Sequence, residues 1–313
     1  MTIRIAFFGT PDVAVAPLRA LAADPRVEIV VVLTNPDRPR GRSKTPQPPP
    51  VKVAALELGI EVWQPDKPRE VLAQLTALRL DAAAVVAYGS LLPDDVLASV
   101  RTGFVNLHYS LLPRWRGAAP VQHAILARDA VSGLSTFVLD RGMDTGPLLR
   151  QVEVPLEPHV SSSELLTLLT ELGTPVLVES VIGLAAGTLS PTPQVEDGAT
   201  LAPKILTEDA LIDWSAPADQ VSALIRHADP RPGAHTTWRD ARCKVWHARV
   251  ADAEVARSGL PGEVVARTDD GPVVACGDGC VVLHVVQPSG KPKQLGRDFV
   301  NGQQPTSGER FGA

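Results

Sequence analysis

Asn106-Leu107-His108-Tyr109-Ser110-Leu111-Leu112-Pro113-Arg114-Trp115-Arg116-Gly117-Ala118-Ala119-Pro120 is the passage from which the rest of the chain can be read. Side chains on a strand alternate with period two, so Asn106 and His108 project from one face. An amide donor and a titratable imidazole then meet at a single strand tip. Pro113 and Gly117 mark a short rigid loop, and the apolar residues beyond it open a helix. Strand, polar pair, loop, helix is how an open α/β sheet builds a site at its carboxyl edge.

The flanking sequence extends the same pattern. Buried strands are expected at Ile3–Phe8, Glu28–Leu33, Glu61–Trp63, Ala82–Ala87 and Phe104–His108, with two more at Leu134–Leu139 and Pro147–Val154. Between them the helical period predicts Val13–Ala22 capped by Asp12, Val51–Leu58 stopped by Gly59, and Val71–Leu78. Ser161 with Glu164 forms a capping box, and Thr174-Pro175 is expected to open a separate helix that Gly187 ends. Strands alternating with helices imply right-handed crossovers and an open, mostly parallel, Rossmann-like sheet with flanking helices. From about residue 241 the pattern becomes short strands and glycine turns, which predicts a small β-barrel. The division expected is an α/β domain over 1–189 with an inserted loop at 34–50, a Pro-bearing linker at 190–206, and a β domain over 207–313. Such a linker predicts that each half folds alone.

The chain has 313 residues, 44% of them hydrophobic and 21% charged, ordinary proportions for a globular protein. A net charge of -5 excludes a global basic field, so any nucleic-acid contact must come from a local patch. Three cysteines, Cys243, Cys276 and Cys280, are too few for a disulfide framework and fit a reducing compartment. No apolar run is expected to span a membrane, and the short apolar start is not read as a signal peptide. A cytoplasmic protein is expected.

Asp144 follows a predicted strand in Leu139-Asp140-Arg141-Gly142-Met143-Asp144-Thr145-Gly146, where the glycines allow a tight turn. An acid beside the His108 imidazole would orient it and set its charge. Asn and His together suit stabilising an oxyanion while a proton is shuttled. No serine or cysteine is paired with a base as a nucleophile, which favours direct transfer between bound substrates. The loop at 34–50 carries Arg38, Arg40, Arg42 and Lys44 between prolines and glycine, a basic arm suited to phosphate contacts. Cys276, Cys280 and His284 suggest a metal site by spacing, but Gly277-Asp278-Gly279 between them reads as a hairpin turn. Gly9-Thr10-Pro11-Asp12 has neither dinucleotide nor Walker spacing.

Ser110–Gly117 resembles the folate-site signature of the 10-formyltetrahydrofolate-dependent formyltransferases, and Asn106, His108 and Asp144 fall on that family's catalytic residues. The resemblance covers nearly the whole chain. Phe8-Gly9-Thr10-Pro11, Thr34–Arg42, Val86-Ala87-Tyr88-Gly89, Ile212-Asp213-Trp214-Ser215 and Gly308-Glu309-Arg310-Phe311 follow in the order of the family's tRNA-acting branch. It implies transfer of the formyl group of 10-formyltetrahydrofolate to the α-amine of methionyl initiator tRNA. Asn106 and His108 would hold the oxyanion, for about 3 kcal/mol per donor, and Asp144 would relay the proton. Ser110, Leu111, Leu112, Pro113, Tyr88 and Gly89 would line the folate site. Arg38, Arg40, Arg42 and Lys44 would meet the tRNA, together with Arg239, Arg242, Lys244, Lys291 and Lys293 on an OB-like carboxyl-terminal barrel. The resemblance implies a monomer with no metal, no dinucleotide and no membrane. Tyr109 departs from the family, which has a small residue there; alternation turns it away from Asn106 and His108. The alternative is a hydrolase or dehydrogenase-type module that passes the formyl group to water, against which the basic arm argues.

Overall fold

β1 (Ile3–Gly9) is apolar or small at almost every position and buried over its last five residues, as a strand covered on both faces must be. The computed structural model describes residues 2–39, 45–306 and 308–312. After β1 come α1 (Val15–Ala23) and β2 (Val27–Leu33). A two-residue ribbon, β3 (Arg38–Pro39) against β4 (Pro46–Gln47), precedes α2 (Pro50–Glu57), β5 (Val62–Trp63) and α3 (Leu72–Ala77). The chain continues through β6 (Ala82–Val86), α4 (Asp94–Leu97), β7 (Phe104–His108), α5 (Pro120–Leu126), β8 (Val131–Val138), β9 (Leu148–Pro155) and α6 (Ser162–Ala186).

The first sheet has the order β5-β2-β1-β6-β7-β8-β9. Pairs from β5 to β7 are parallel and β7 meets β8 antiparallel. The order reverses between β1 and β6, and that crevice is where open α/β sheets bind ligands. Gly9 pairs with Val86 at its lip, and Val85 pairs with Asn106 on the next strand. Phe8 packs edge-on against both Tyr88 and Phe104 at 5.2 Å, sealing the floor beneath. Each fully buried phenylalanine contributes roughly 2–3 kcal/mol.

Two local expectations are corrected. Asp12 does not cap the first helix; Pro11 precedes a 3-10 turn over Asp12–Ala14, and no side chain bonds the cap. Thr174-Pro175 opens no new helix, because α6 runs unbroken through Pro175. Leu165, Leu169, Leu177 and Val181 form a buried stripe at four-residue spacing, while Pro175 and Glu171 are exposed. The carbonyl deprived of its partner by Pro175 therefore faces solvent, where proline costs least. As one 25-residue helix α6 is long and apolar enough to cross a membrane by length and composition, contrary to the expectation of no such run. Half of its most apolar window is buried in protein. The capping box forms as read: Ser161 N–H donates to Glu164 Oε2 at 2.9 Å and Glu164 N–H to Ser161 Oγ at 3.3 Å.

Two compact units divide the chain. One holds Met1–Gly117, Ser132–Val154 and Leu166–Leu201; the other holds Ala118–Val131, Pro155–Leu165 and Ala202–Ala313. In the second, α7 (Ala218–His227) packs on α5 and on β11. The strands β10 (His235–Trp238), β11 (Ala241–Val250), β12 (Val264–Thr268), β13 (Gly271–Ala275), β14 (Cys280–Pro288) and β15 (Gln294–Leu295) make one antiparallel sheet, followed by α8 (Gly296–Gln303). Trp238 packs at a tilt against Phe311 at 4.5 Å, and the Trp214 indole N–H donates to Thr236 Oγ1 at 3.0 Å. Two motifs distant in sequence, around Trp214 and Phe311, thus share one aromatic core.

Candidate active site

β7 delivers Asn106 and His108 to the carboxyl edge beside the crevice, on one face as the alternation requires. His108 is only 5% exposed, and its Nδ1 lies 3.6 Å from Asp144 Oδ2. Its Nε2 is 2.9 Å from the Trp115 carbonyl oxygen. A carbonyl only accepts, so in this arrangement Nε2 carries a proton. Asp144 adopts a left-handed backbone at φ 55°. Its Oδ2 also accepts the Gly117 N–H at 2.8 Å, which ties the loop after β7 to the loop after β8. Gly146 allows that second loop to close: a Cβ there would sit 1.8 Å from the Val138 carbonyl oxygen.

The loop after His108 is held from beneath by one hydroxyl. Ser135 Oγ, on β8, donates to the Ser110 carbonyl at 2.6 Å and accepts the Leu112 N–H at 3.0 Å. Gln151 Nε2 donates both to that hydroxyl, at 3.0 Å, and to the Leu112 carbonyl, at 2.9 Å. Ser110 and Leu112 are buried, whereas Leu111 and Pro113 are half-buried. Tyr109 turns to the opposite face, 7% exposed, where its hydroxyl accepts from Thr170 on α6 at 3.3 Å. Burial pushes its phenol up to about 12.

Across the crevice, Tyr88 offers backbone rather than ring. Its carbonyl accepts Thr10 Oγ1 at 3.0 Å and Asn35 Nδ2 at 2.9 Å, while its side chain lies in the core and burial raises the phenol to about 12. Gly89 next to it is exposed at φ 81°. Thr10 and Asn35 lie within the quoted stretches Phe8–Pro11 and Thr34–Arg42, but the sequence assigned neither of them a role.

The segment Thr192–Thr200, read from sequence as linker, contacts the site directly. Thr200 accepts the Trp115 N–H through Oγ1 and the Arg116 N–H through its carbonyl, both at 2.9 Å. Arg116 is 7% exposed and binds Gln194 and Glu196. The guanidinium holds the Glu196 carboxyl below its ordinary range. No motif of sequence pointed to Gln194.

The basic residues divide. Arg38 is exposed on β3, and Arg40, Arg42 and Lys44 lie outside the described residues. In the second unit, Lys293 Nζ sits 3.5 Å and Lys244 Nζ 5.1 Å from the centre of the Trp246 ring, with exposed Arg242 on the same strand. Burial and these neighbouring cations lower the Lys244 ammonium. Lys291 is exposed on the following turn. Arg239 is engaged otherwise, in a two-point pair with Glu309 at 2.8 and 3.1 Å. Cys276 and Cys280 flank the hairpin turn between β13 and β14, as read.

The chain is an open α/β sheet with His108 beside Asp144 at its carboxyl edge, followed in sequence by an antiparallel carboxyl-terminal sheet. The chain belongs to the formyl transferase family: residues 3–181 match the formyl transferase domain and residues 204–304 the formyl transferase C-terminal domain. Its relatives narrow the branch. It is 44% identical to the methionyl-tRNA formyltransferase of Frankia alni over 306 residues, covering 97% of this chain and 92% of that protein. It is also 44% identical to the methionyl-tRNA formyltransferase of Roseiflexus castenholzii over 314 residues, with 100% of both covered. In fold it is similar to the sugar 3N-formyl transferase WlaRD, solved in the presence of dTDP and 5-N-formyl-THF, with a TM-score of 0.67 at 14% identity over 93% of this chain and all of that one.

Proposed function

We propose that this protein transfers the formyl group of 10-formyltetrahydrofolate to the α-amine of methionyl initiator tRNA, for translation initiation. The observation that carries the reading is the approach of His108 Nδ1 to within 3.6 Å of Asp144 Oδ2, at the end of the strand that also carries Asn106. It occurs in a chain 44% identical along its length to enzymes of that name. The amine attacks the formyl carbon, a new C–N bond forms, and the carbonyl oxygen takes up negative charge. Asn106 and His108 hydrogen-bond that oxyanion, His108 by turning its Nε2–H from the Trp115 carbonyl to the substrate, and Asp144 orients His108 and relays the proton lost by the amine to the departing folate nitrogen as its C–N bond breaks. Ser110–Pro113 and the backbone at Tyr88-Gly89 line the folate side. Arg38, Arg40, Arg42 and Lys44 meet the acceptor end of the tRNA, with Arg242, Lys244, Lys291 and Lys293 supplying a second face and Arg239 a lesser share. In this reading the enzyme is a cytoplasmic monomer that needs no metal or dinucleotide and engages no membrane.

The test incubates the protein with 10-formyltetrahydrofolate and methionyl initiator tRNA, with a tRNA-free control, following formylmethionine and tetrahydrofolate. Formylmethionine is expected only with the tRNA. Equal tetrahydrofolate release in the control would instead mean that water is the acceptor.

A further inference from the structure

The two loops that carry the site are joined by one side chain that neither of them contains. Gln194 Nε2 donates to the Asp144 carbonyl at 2.8 Å and to the Gly146 carbonyl at 2.7 Å. Its Oε1 accepts from Arg116 Nη2 at 2.9 Å. One amide thus uses both N–H donors on the loop after β8 and its oxygen on the loop after β7. The residue is half-buried. It is held in place by an antiparallel bridge two residues earlier, where Thr192 and Leu148 exchange both backbone hydrogen bonds at 2.8 and 2.7 Å.

Asp144 needs such support. Its backbone is left-handed, a conformation that residues other than glycine adopt only as isolated exceptions. Were the carbonyl of Asp144 released, that turn could relax to a right-handed conformation. Its carboxylate would then swing from the Gly117 N–H and from His108. The lever is short, and a displacement of about 1 Å at a reacting group can cost about a hundredfold in rate.

We infer that Gln194 is a positioning residue for the transfer reaction: it fixes the backbone of Asp144 and so the placement of the Asp144 carboxylate against His108. The inference rests on the role given to Asp144 above. Segment 192–200 is in this sense part of the active site, acting through Asp144 and Arg116 without touching substrate.

The experiment is a double-mutant cycle on the full chain, read by single-turnover formylation of methionyl initiator tRNA at saturating and subsaturating folate. Gln194→Ala is expected to lower the rate at saturation by about tenfold or more while the folate KM stays within about twofold. Gln194→Glu keeps the acceptor for Arg116 but turns an acceptor toward the two carbonyls, so it should be at least as impaired. It also serves should the alanine variant fail to fold by circular dichroism. In an Asp144→Ala background, Gln194→Ala should change the rate by less than about twofold, because its route of action is gone. Full activity of Gln194→Glu, a loss confined to KM, or multiplicative losses in the cycle would each overturn the positioning role while leaving the reading of Asp144 standing. Undiminished transfer by Asp144→Ala alone would remove that reading and this inference with it.

Discussion

At the scale of single residues, the site separates groups that receive charge from groups that aim them. Asn106 and His108 share a strand face at the sheet's carboxyl edge, and their proposed work is confined to the transition state. Asn106→Ala is therefore expected to cut kcat by about a hundredfold, about 3 kcal/mol, with folate KM little changed. An unaltered kcat would reduce Asn106 to a polar strand end. His108→Ala is expected to abolish measurable transfer while tetrahydrofolate still binds, which equilibrium titration of the ligand checks. That His108 and Asp144 would lie close was legible because strand periodicity and a glycine-flanked acid are local signals. The partners of His108 were not: its Nε2 faces the carbonyl of Trp115, a backbone atom placed by a left-handed residue at φ 63°. No side-chain pattern encodes a backbone oxygen.

Among the elements, β8 does for the proposed folate loop what β7 does for the proposed catalytic pair. Ser135 is fully buried and serves Ser110, Leu112 and Gln151 together. Ser135→Ala leaves the buried Ser110 carbonyl and Leu112 N–H without this partner and should lower stability by roughly 2 kcal/mol. Because the loop it holds is the proposed folate wall, folate KM should rise several-fold with kcat less affected; thermal unfolding and steady-state kinetics check the pair. A change in stability alone would make Ser135 a core residue with no bearing on the site. Sequence patterning found β8 as a strand but not as a platform, since a single serine among the small and apolar residues of a buried strand has no periodic signature. The same limit explains Ser190–Lys204, which is polar and aperiodic and reads as linker, yet uses backbone and amide groups to clasp the loop at 113–117. In α6 the error ran the other way. A proline is a strong local break, but a buried stripe at four-residue spacing carries the helix through it.

For the whole molecule, acid stability follows from a group outside the unit that holds the candidate site. His227 ends α7 fully buried in the second unit. Burial, with His123 nearby adding like charge, lowers its imidazole to about 4. His235, His247 and His284 are lowered too, chiefly by burial. An unfolded histidine titrates near 6.5, so between about 6.5 and 4 the unfolded chain binds protons that the folded chain refuses. Stability must then rise with pH across that window and fall as pH drops through it, by roughly 3 kcal/mol for His227 alone. Carboxylates held below their ordinary values, such as Asp81 by the Arg4 N–H and Arg101, contribute stability of the opposite chemical origin, lost at lower pH as they protonate. Two steps of acid destabilisation are expected, the histidine step first. Denaturant unfolding at pH 7.5, 6.0 and 5.0 should show the first step in the wild-type chain and a shallower one in His227→Phe, which cannot take up the proton. Parallel pH profiles for the two proteins would place the acid sensitivity elsewhere and leave His227 as an inert filler of the α5–α7 contact.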